Sequence, residues 1–502
     1  MPNASVSKAV SYAISRGYQI TPDALKLMQS FSELEASAGK LESIISLVIE
    51  DKARLSIGGE DDKSLSAQDL ITIQPDLFEG IGKEASGTNM QPVEVDTSIE
   101  IISDPSEKIQ PIGIEGFQEL FKSRYEKLMR ILKERPEARQ LVKISSINAD
   151  KGVSRIGGLV YSKRQTKNGV ELVVDDESGK TSILALNEET KRIVNEVSVD
   201  QCVMLEVEGK GGRLYLKSIT QPDLPNRVSS TSKKTVYAVF LSDLHVGSNK
   251  FLDGAFARFL DWLSGHGPFA KEDSEIIRRL RYVIIGGDIV DGVGVFPNQE
   301  YELLENSIYK QYAMVSKKLE SIPEHLKIFA IPGNHDSTRQ ALPQPMIPKK
   351  YAGPLYSLKN VTMLGDPSTI KLNGVSILMY HGRSLDDILA TTPGLSYEQP
   401  TTAMKMLLKA RHLAPIFGSR TPIAPELEDH LVIDQVPDIF HSGHVHSVGV
   451  ENYRGTLIIN SGTFQAQTGY QANLGIMPRP GLVPIVNLAT LEVEMREFLT
   501  SS

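Results

Sequence analysis

Residues 281–292 read RYVIIGGDIVDG. Tyr282, Val283, Ile284 and Ile285 form a short apolar run, closed by two glycines. Such a run reads as a fully buried strand, and glycines let the chain turn sharply at its end. Asp288 and Asp291 follow at once. The same plan recurs four times. VYAVFLSDLHVGS (236–248) ends in Asp243 and His245, and KIFAIPGNHD (327–336) in Asn334, His335 and Asp336. SILMYHG (376–382) ends in His381, and PDIFHSGHVHS (437–447) in His444 and His446. From residue 236 onward strand and helix patterns alternate, as in an α/β domain. Ligands bind outside the strand ends of an open α/β sheet, so five such loops can converge on one crevice.

The residue types at these loops point to chemistry. Asp, Asn and His are ligands for Mn²⁺, Mg²⁺, Fe or Zn²⁺. Residues two apart in extended chain point the same way, so Asp243/His245 and His444/His446 can each chelate. Six of the ten histidines fall within or beside these segments. Taken singly, each signal is weak, since one D-x-H is noise and GNHD alone reads as a turn. The ordered set of five is specific. Arg339 and Arg383 flank two of the loops and suit bidentate contact with phosphate. An ion pair that merely holds structure is the rival reading for each. His441, His266, His325, His412 and His430 read as strand-end, surface or packing residues. Cys202 reads as a buried small hydrophobe.

Outward from this domain the pattern changes. Residues 140–222 hold five or six short β-rich runs, with Asp176–Gly179 placed as a hairpin loop and one helical stretch, NEETKRIVNEV, before the later strands. That is the order of an OB-type β-barrel. Its stacking aromatics reduce to Tyr161 and Tyr215, so a structural role weighs at least as much as single-strand binding. Residues 223–235 read as a linker. Residues 115–139 form an amphipathic helix, with Phe117, Leu120, Phe121, Tyr125, Leu128 and Leu132 as its apolar stripe. Its cations, Arg124 among them, are scattered over the other faces, which reads as a solvated amphipathic helix packed on a neighbouring domain, with a DNA-facing helix as the lesser reading. Residues 58–114 are polar, acidic and rich in Gly, Pro and Ser, which reads as a flexible linker. Residues 1–57 show helical spacing, with Thr21 and Pro22 as a helix start, and read as a small helical N-terminal domain. The expected fold is therefore multidomain α+β.

Composition sets outer limits. The chain has 502 residues and a net charge of −8. Residues 1–110 carry 9 Lys/Arg against 18 Asp/Glu, so the remainder is about neutral. This excludes a polybasic protein held on nucleic acid by bulk charge, but not a nucleic-acid enzyme. One cysteine excludes an internal disulfide and a Cys-rich zinc module. No window approaches the roughly 18 apolar residues of a membrane span, and no signal-peptide core opens the chain. A soluble, cytoplasmic protein with no membrane partner is expected.

The set D-x-H, GD-x-x-D, GNHD, HG and GH-x-H resembles the calcineurin-like metallophosphoesterase superfamily. Longer stretches, DGVGVFPNQEYEL, PGNHDSTRQALPQP, YHGRSLDD, RHLAPIFGSRTP and INSGTFQAQTGYQ, resemble the small subunit of archaeal family D DNA polymerase. The likeness covers residues 115–500. It implies a C-terminal calcineurin-like phosphoesterase domain over 236–502 and a two-metal site. Asp243, His245, Asp288 and His446 would hold one divalent ion, and Asp288, Asn334, His381 and His444 the other. Mn²⁺ or Mg²⁺ is favoured, with Fe or Zn²⁺ as alternatives. His335 would protonate the leaving 3′-oxygen, and Asp291 would orient His335 by hydrogen bond. The resemblance further implies a 3′→5′ exonuclease that proofreads primer ends, bound to a large catalytic polymerase subunit and to DNA as primer–template or single-stranded 3′ end. A sliding-clamp contact in residues 1–110 is compatible with this, with no motif to carry it. The alternatives are a non-catalytic scaffold, whose mark would be lost ligands, and a stand-alone phosphoesterase or nuclease. Phosphatases of the superfamily carry GD-x-V-D-R-G and GNHE, whereas this chain has GDIVDGV and GNHD.

Overall fold

The computed structural model describes residues 19–20, 72–73, 92–107, 113–267, 272–473 and 475–499. The chain divides into two units, 1–89 and 90–502. In the first, β1 (Gln19–Ile20) pairs in parallel with β2 (Thr72–Ile73). The helices expected over residues 1–57 lie outside the described residues.

In the second unit, β3 (Ile99–Ser103) is an edge strand, antiparallel to β13 (Ser368–Leu372). This corrects the linker expectation for residues 92–107. The IEIIS pattern is a short strand whose signal is diluted by acidic neighbours. Helix Gly116–Lys133 comes next. It stops where Arg135, forced extended by Pro136, breaks the helical path. Leu128, Met129 and Leu132 pack on Cys202, Met204 and Val432, while Leu120 enters a core of the C-terminal domain. Arg124 is not solvated as the helical pattern suggests. It is buried, with Nε 2.7 Å from Asp429 Oδ2. The helix thus joins a barrel to the C-terminal domain.

The barrel comprises β4 (Lys151–Gln165), β5 (Val170–Asp176), β6 (Gly179–Ala185), β7 (Cys202–Lys210) and β8 (Arg213–Thr220). It closes in the order β4-β5-β6-β8-β7, with β6 and β8 parallel. Helix Glu188–Asn195 lies between the third and fourth strands, capped by the Asn187 side chain, which accepts from Thr190 N at 2.8 Å. The hairpin at Asp176 is held by its own carboxylate, which accepts from Ser178 N and Gly179 N. Residues 223–235 lie along the next domain, where Ser230 N donates to Asp438 at 2.7 Å.

Residues 236–499, joined by β3, build two six-stranded sheets rather than one open sheet. The first runs β12 (Val361–Met363), β11 (Lys327–Ala330), β10 (Leu280–Ile285), β9 (Tyr237–Leu241), β18 (Leu482–Asn487), β19 (Val493–Glu497). Its four leading strands are parallel. The second runs β16 (Gly449–Tyr453), β17 (Thr456–Asn460), β15 (Ile439–Ser442), β14 (Val375–Met379), β13, β3. Alternation along each strand feeds two cores. Ala238, Phe240, Tyr282 and Ile284 meet Ile370, Ile377, Met379 and Ile459 between the sheets. Val239, Leu241, Val283 and Ile285 face outward onto Phe256, Phe259, Trp262 and Tyr312. On the far side, Leu378, Phe440 and Ile458 pack under helix Pro400–Ala410. Each fully buried large apolar side chain contributes roughly 2 kcal/mol by transfer from water. Among the described residues, no helix is long and apolar enough to cross a membrane.

Candidate metal centre

The five loops leave the ends of β9, β10, β11, β14 and β15 and meet in one crevice. Five of the seven expected ligands, Asp243, His245, Asp288, His444 and His446, have left-handed backbone, with φ between 47° and 71°. Non-glycine residues pay about 1–3 kcal/mol for such conformations, which cluster at functional sites. Two adjoining glycines leave no room for a side chain. A Cβ on Gly333 would lie 2.2 Å from Asp288 Oδ1, and one on Gly443 2.4 Å from Asp243 Oδ2.

Asp243, His245 and His446 bring ligand atoms together in one cluster, and Asp288, His381 and His444 in a second. In the first, His446 Nε2 is 3.1 Å from His245 Nε2 and 3.4 Å from Asp243 Oδ1. In the second, His381 Nε2 is 3.0 Å from Asn334 Oδ1 and 3.4 Å from Asp288 Oδ2. Asp288 Oδ2 also lies 3.8 Å from His245 Nε2, which places it between the halves. Its other oxygen accepts from His335 N at 2.7 Å. The seven positions lie side by side in the crevice.

Partners behind the ligands fix which nitrogen faces inward. His245 Nδ1 meets Asp291 Oδ1 at 3.0 Å, and His381 Nδ1 meets the carbonyl of Gly286 at 2.9 Å. Each Nδ1 donates to an oxygen, so Nε2 is the nitrogen turned toward the crevice. His444 Nε2 is held by Asp386 Oδ2 at 3.1 Å, leaving Nδ1. The sequence reading missed Asp386, whose Oδ1 accepts from Tyr397 at 3.0 Å. It also missed Gln299 and Gln465, whose amides donate to the Asp291 carboxylate at 3.1 and 3.0 Å.

Two expected roles change. The Asp291 carboxylate orients His245, not His335. His335 Nδ1 instead meets the Asp291 main-chain oxygen at 2.7 Å. Asp336, next to His335 in the chain, bonds elsewhere. Its carboxylate accepts from Gly333 N, Ile289 N and Tyr312 Oη, tying two loops together. Burial pushes that carboxyl up to about 7. Arg339 is committed to structure by an ion pair with Glu426 at 2.8 Å and by the carbonyls of Ala341 and Pro343. Arg383 is held by main-chain and side-chain oxygens of Gln340 at 2.8 and 3.2 Å, which leaves its charge unmatched by a carboxylate in those contacts. His441 is buried on β15, 2.8 Å from Ser461 Oγ, and His412 pairs with Asp429.

The electrostatics suit a divalent pair. Burial opposes charge on Asp288, yet His381, His335 and His245 hold it well below the usual carboxylate range. Burial likewise opposes charge on His245, but the Asp291 hydrogen bond and nearby carboxylates raise it to about 9. His381 rises to about 10 against the same opposition, driven by Asp288. Burial lowers His335, with Asp288 acting against it. Asp243 Oδ1 is buried with no hydrogen-bond partner. Such an atom, among converging imidazoles and carboxylates, is what a cation site offers.

Residues 238–448 match the model of the family of B subunits of DNA polymerases alpha and epsilon. The chain is 42% identical over 389 residues to the DNA polymerase II small subunit of Pyrococcus furiosus, covering 76% of this chain and 63% of that one. It is 40% identical over 415 residues to the DNA polymerase II small subunit of Methanothermobacter thermautotrophicus, covering 82% and 85%. The chain therefore spans less than two thirds of the Pyrococcus relative. A solved archaeal phosphodiesterase aligns over 52% of this chain at 14% identity with a TM-score of 0.27, too slight a likeness to argue from.

Proposed function

Because this chain belongs to the family of archaeal DNA polymerase II small subunits, we propose that it is the nuclease subunit of a two-subunit replicative polymerase, removing mismatched 3′ nucleotides by phosphodiester hydrolysis. The observation that supports this is the gathering of seven candidate donors in one crevice, with Asp288 lying between the two clusters. A non-catalytic scaffold has no need of it. The relatives' description as small subunits supports a large catalytic partner. The closed barrel, with its helix before the fourth strand, is read as the OB type.

Asp243, His245, Asp288 and His446 would hold one divalent ion, and Asp288, Asn334, His381 and His444 a second, Mn²⁺ or Mg²⁺ being favoured. Bound there, such ions supply Lewis-acid activation of water and charge neutralisation at phosphorus. The chain's own work is positioning and proton transfer. Asp291 fixes His245 through its carboxylate and His335 through its carbonyl. With Nδ1 engaged, His335 presents Nε2 to the substrate. When the P–O3′ bond breaks, that nitrogen gives its proton to the leaving 3′-oxygen while a water oxygen joins phosphorus, and the proton that this water loses passes to solvent, from which His335 is recharged. Arg383 offers its guanidinium to the strand's phosphates.

The test is a 3′-mismatched primer–template with Mn²⁺, read for stepwise shortening, with the chain alone and with its large subunit. Asp288→Ala is expected to abolish shortening and lower bound metal. His335→Ala is expected to slow it about 10²–10⁴-fold with metal content retained. Shortening that survives Asp288→Ala sinks the assignment. No shortening with or without the partner leaves the scaffold.

A further inference from the structure

A cleft of ≈ 570 Å³ opens beside His335, and none of the seven candidate ligands lines it. Its walls include Val293 and Val295, both substantially exposed to solvent, and Tyr351. Exposed apolar side chains beside a polar catalytic group call for an apolar occupant. Lys350 lines the same cleft, and its Nζ lies over the Tyr351 ring, 4.6 Å from the centroid. Tyr309, also exposed, leans on Tyr351 with centroids 5.7 Å apart. The Tyr351 ring is thus shared by Lys350 and Tyr309, and a flat partner would reach its face by displacing the Lys350 side chain. Aromatic faces with an adjacent cation are what a nucleobase and its phosphate require. The first wall loop is shaped by Gly292 and Gly294, both at positive φ (76° and 74°), which keeps Val293 and Val295 turned out.

We propose that this cleft holds the base of the nucleotide that carries the leaving 3′-oxygen. The inference rests on the nuclease reading and refines it. His335 protonates that oxygen, so a pocket that begins at His335 lies on the leaving side of the phosphate. Its occupant is the penultimate nucleotide of the unpaired strand, which becomes the new 3′ end. The base packs between the valines and Tyr351, and Lys350 moves from the ring to the backbone phosphate. Only a strand free of its complement can place a base there. The cleft thus selects frayed, mismatched ends over paired ones.

The test uses a 5′-fluorescein octathymidylate, with binding read by anisotropy in Ca²⁺ and shortening read separately in Mn²⁺. A second oligonucleotide lacks only the penultimate base, and a third lacks only the terminal base. With wild type, loss of the penultimate base should weaken binding about tenfold, and loss of the terminal base distinctly less. Tyr351→Ala should bind the full oligonucleotide about tenfold more weakly and lose nothing further without the penultimate base. Tyr351→Phe should restore binding. Val295→Asp, on the exposed loop, should mimic Tyr351→Ala and guards against a folding defect. Equal sensitivity to the missing base in wild type and variants overturns the proposal, as does failure of wild type to bind. Shortening without this coupling would leave the nuclease reading standing alone. Coupling without shortening would leave a strand-binding cleft and remove the nuclease.

Discussion

Two places in this molecule bury aspartate beside histidine, with opposite outcomes. At the joint between helix Gly116–Lys133 and the sandwich, Asp429 is fully buried. Its Oδ2 takes Arg124 Nε at 2.7 Å and His412 Nε2 at 3.0 Å, and its Oδ1 takes Leu431 N at 2.9 Å. Protein donors meet both of its oxygens. In the crevice Asp243 and Asp288 are as deeply buried, yet Asp243 Oδ1 has no donor. The joint is closed on itself, while the crevice turns its lone pairs toward a shared space. Burial of Asp and His marks no function by itself, whereas acceptors that converge without donors do.

That contrast can be broken or sharpened by experiment. The largest effect is expected at the joint. Asp429→Ala leaves Arg124 buried without its counter-ion and should cost about 3–5 kcal/mol in denaturant unfolding. Bound metal per folded chain should stay as in wild type, and a parallel loss of metal would merge the two sites. A smaller effect is expected behind the crevice. Asp386→Ala frees the His444 ring and should weaken Mn²⁺ binding about 10–100-fold by calorimetry, with little change in unfolding. Unmoved affinity would mean that His444 needs no support. The third is a slope with pH. Burial, reinforced by Arg124, lowers His412 from 6.5 to about 4. The folded state therefore binds fewer protons in that window. Stability from this group is full above pH 6.5 and is lost as pH falls toward 4. His412→Gln should shrink the difference between urea midpoints at neutral and acid pH. In chelator-treated protein His245 and His381 run the other way. Their contribution is present below pH 6.5 and is lost as pH rises through about 9 and 10.

The five loops are legible in the sequence because each sets Asp, Asn or His directly after a buried strand. Their neighbours are less so. Asp386 is one of two adjacent aspartates in HGRSLDD, and only the fold shows which one faces His444. Gln299 and Gln465 carry no chemical signal, since a glutamine reads as surface. Arg124 reads as one cation among several on an amphipathic helix, and its partner lies 305 residues away. The roles of Asp291 divide between its side chain and its main chain, which residue identity cannot express. The two-sheet sandwich is hidden for a similar reason. Strand spacing foretells strands, but β9 finds its neighbour β18 only at the far end of the domain.

The left-handed backbone at five ligands has a consequence for how this protein can change over generations. Glycine at any of the five would relax the main chain while discarding a ligand. A lineage with no use for the crevice would drift that way readily, trading chemistry for sturdiness. The easiest route open to this fold is thus toward an inert and more stable platform.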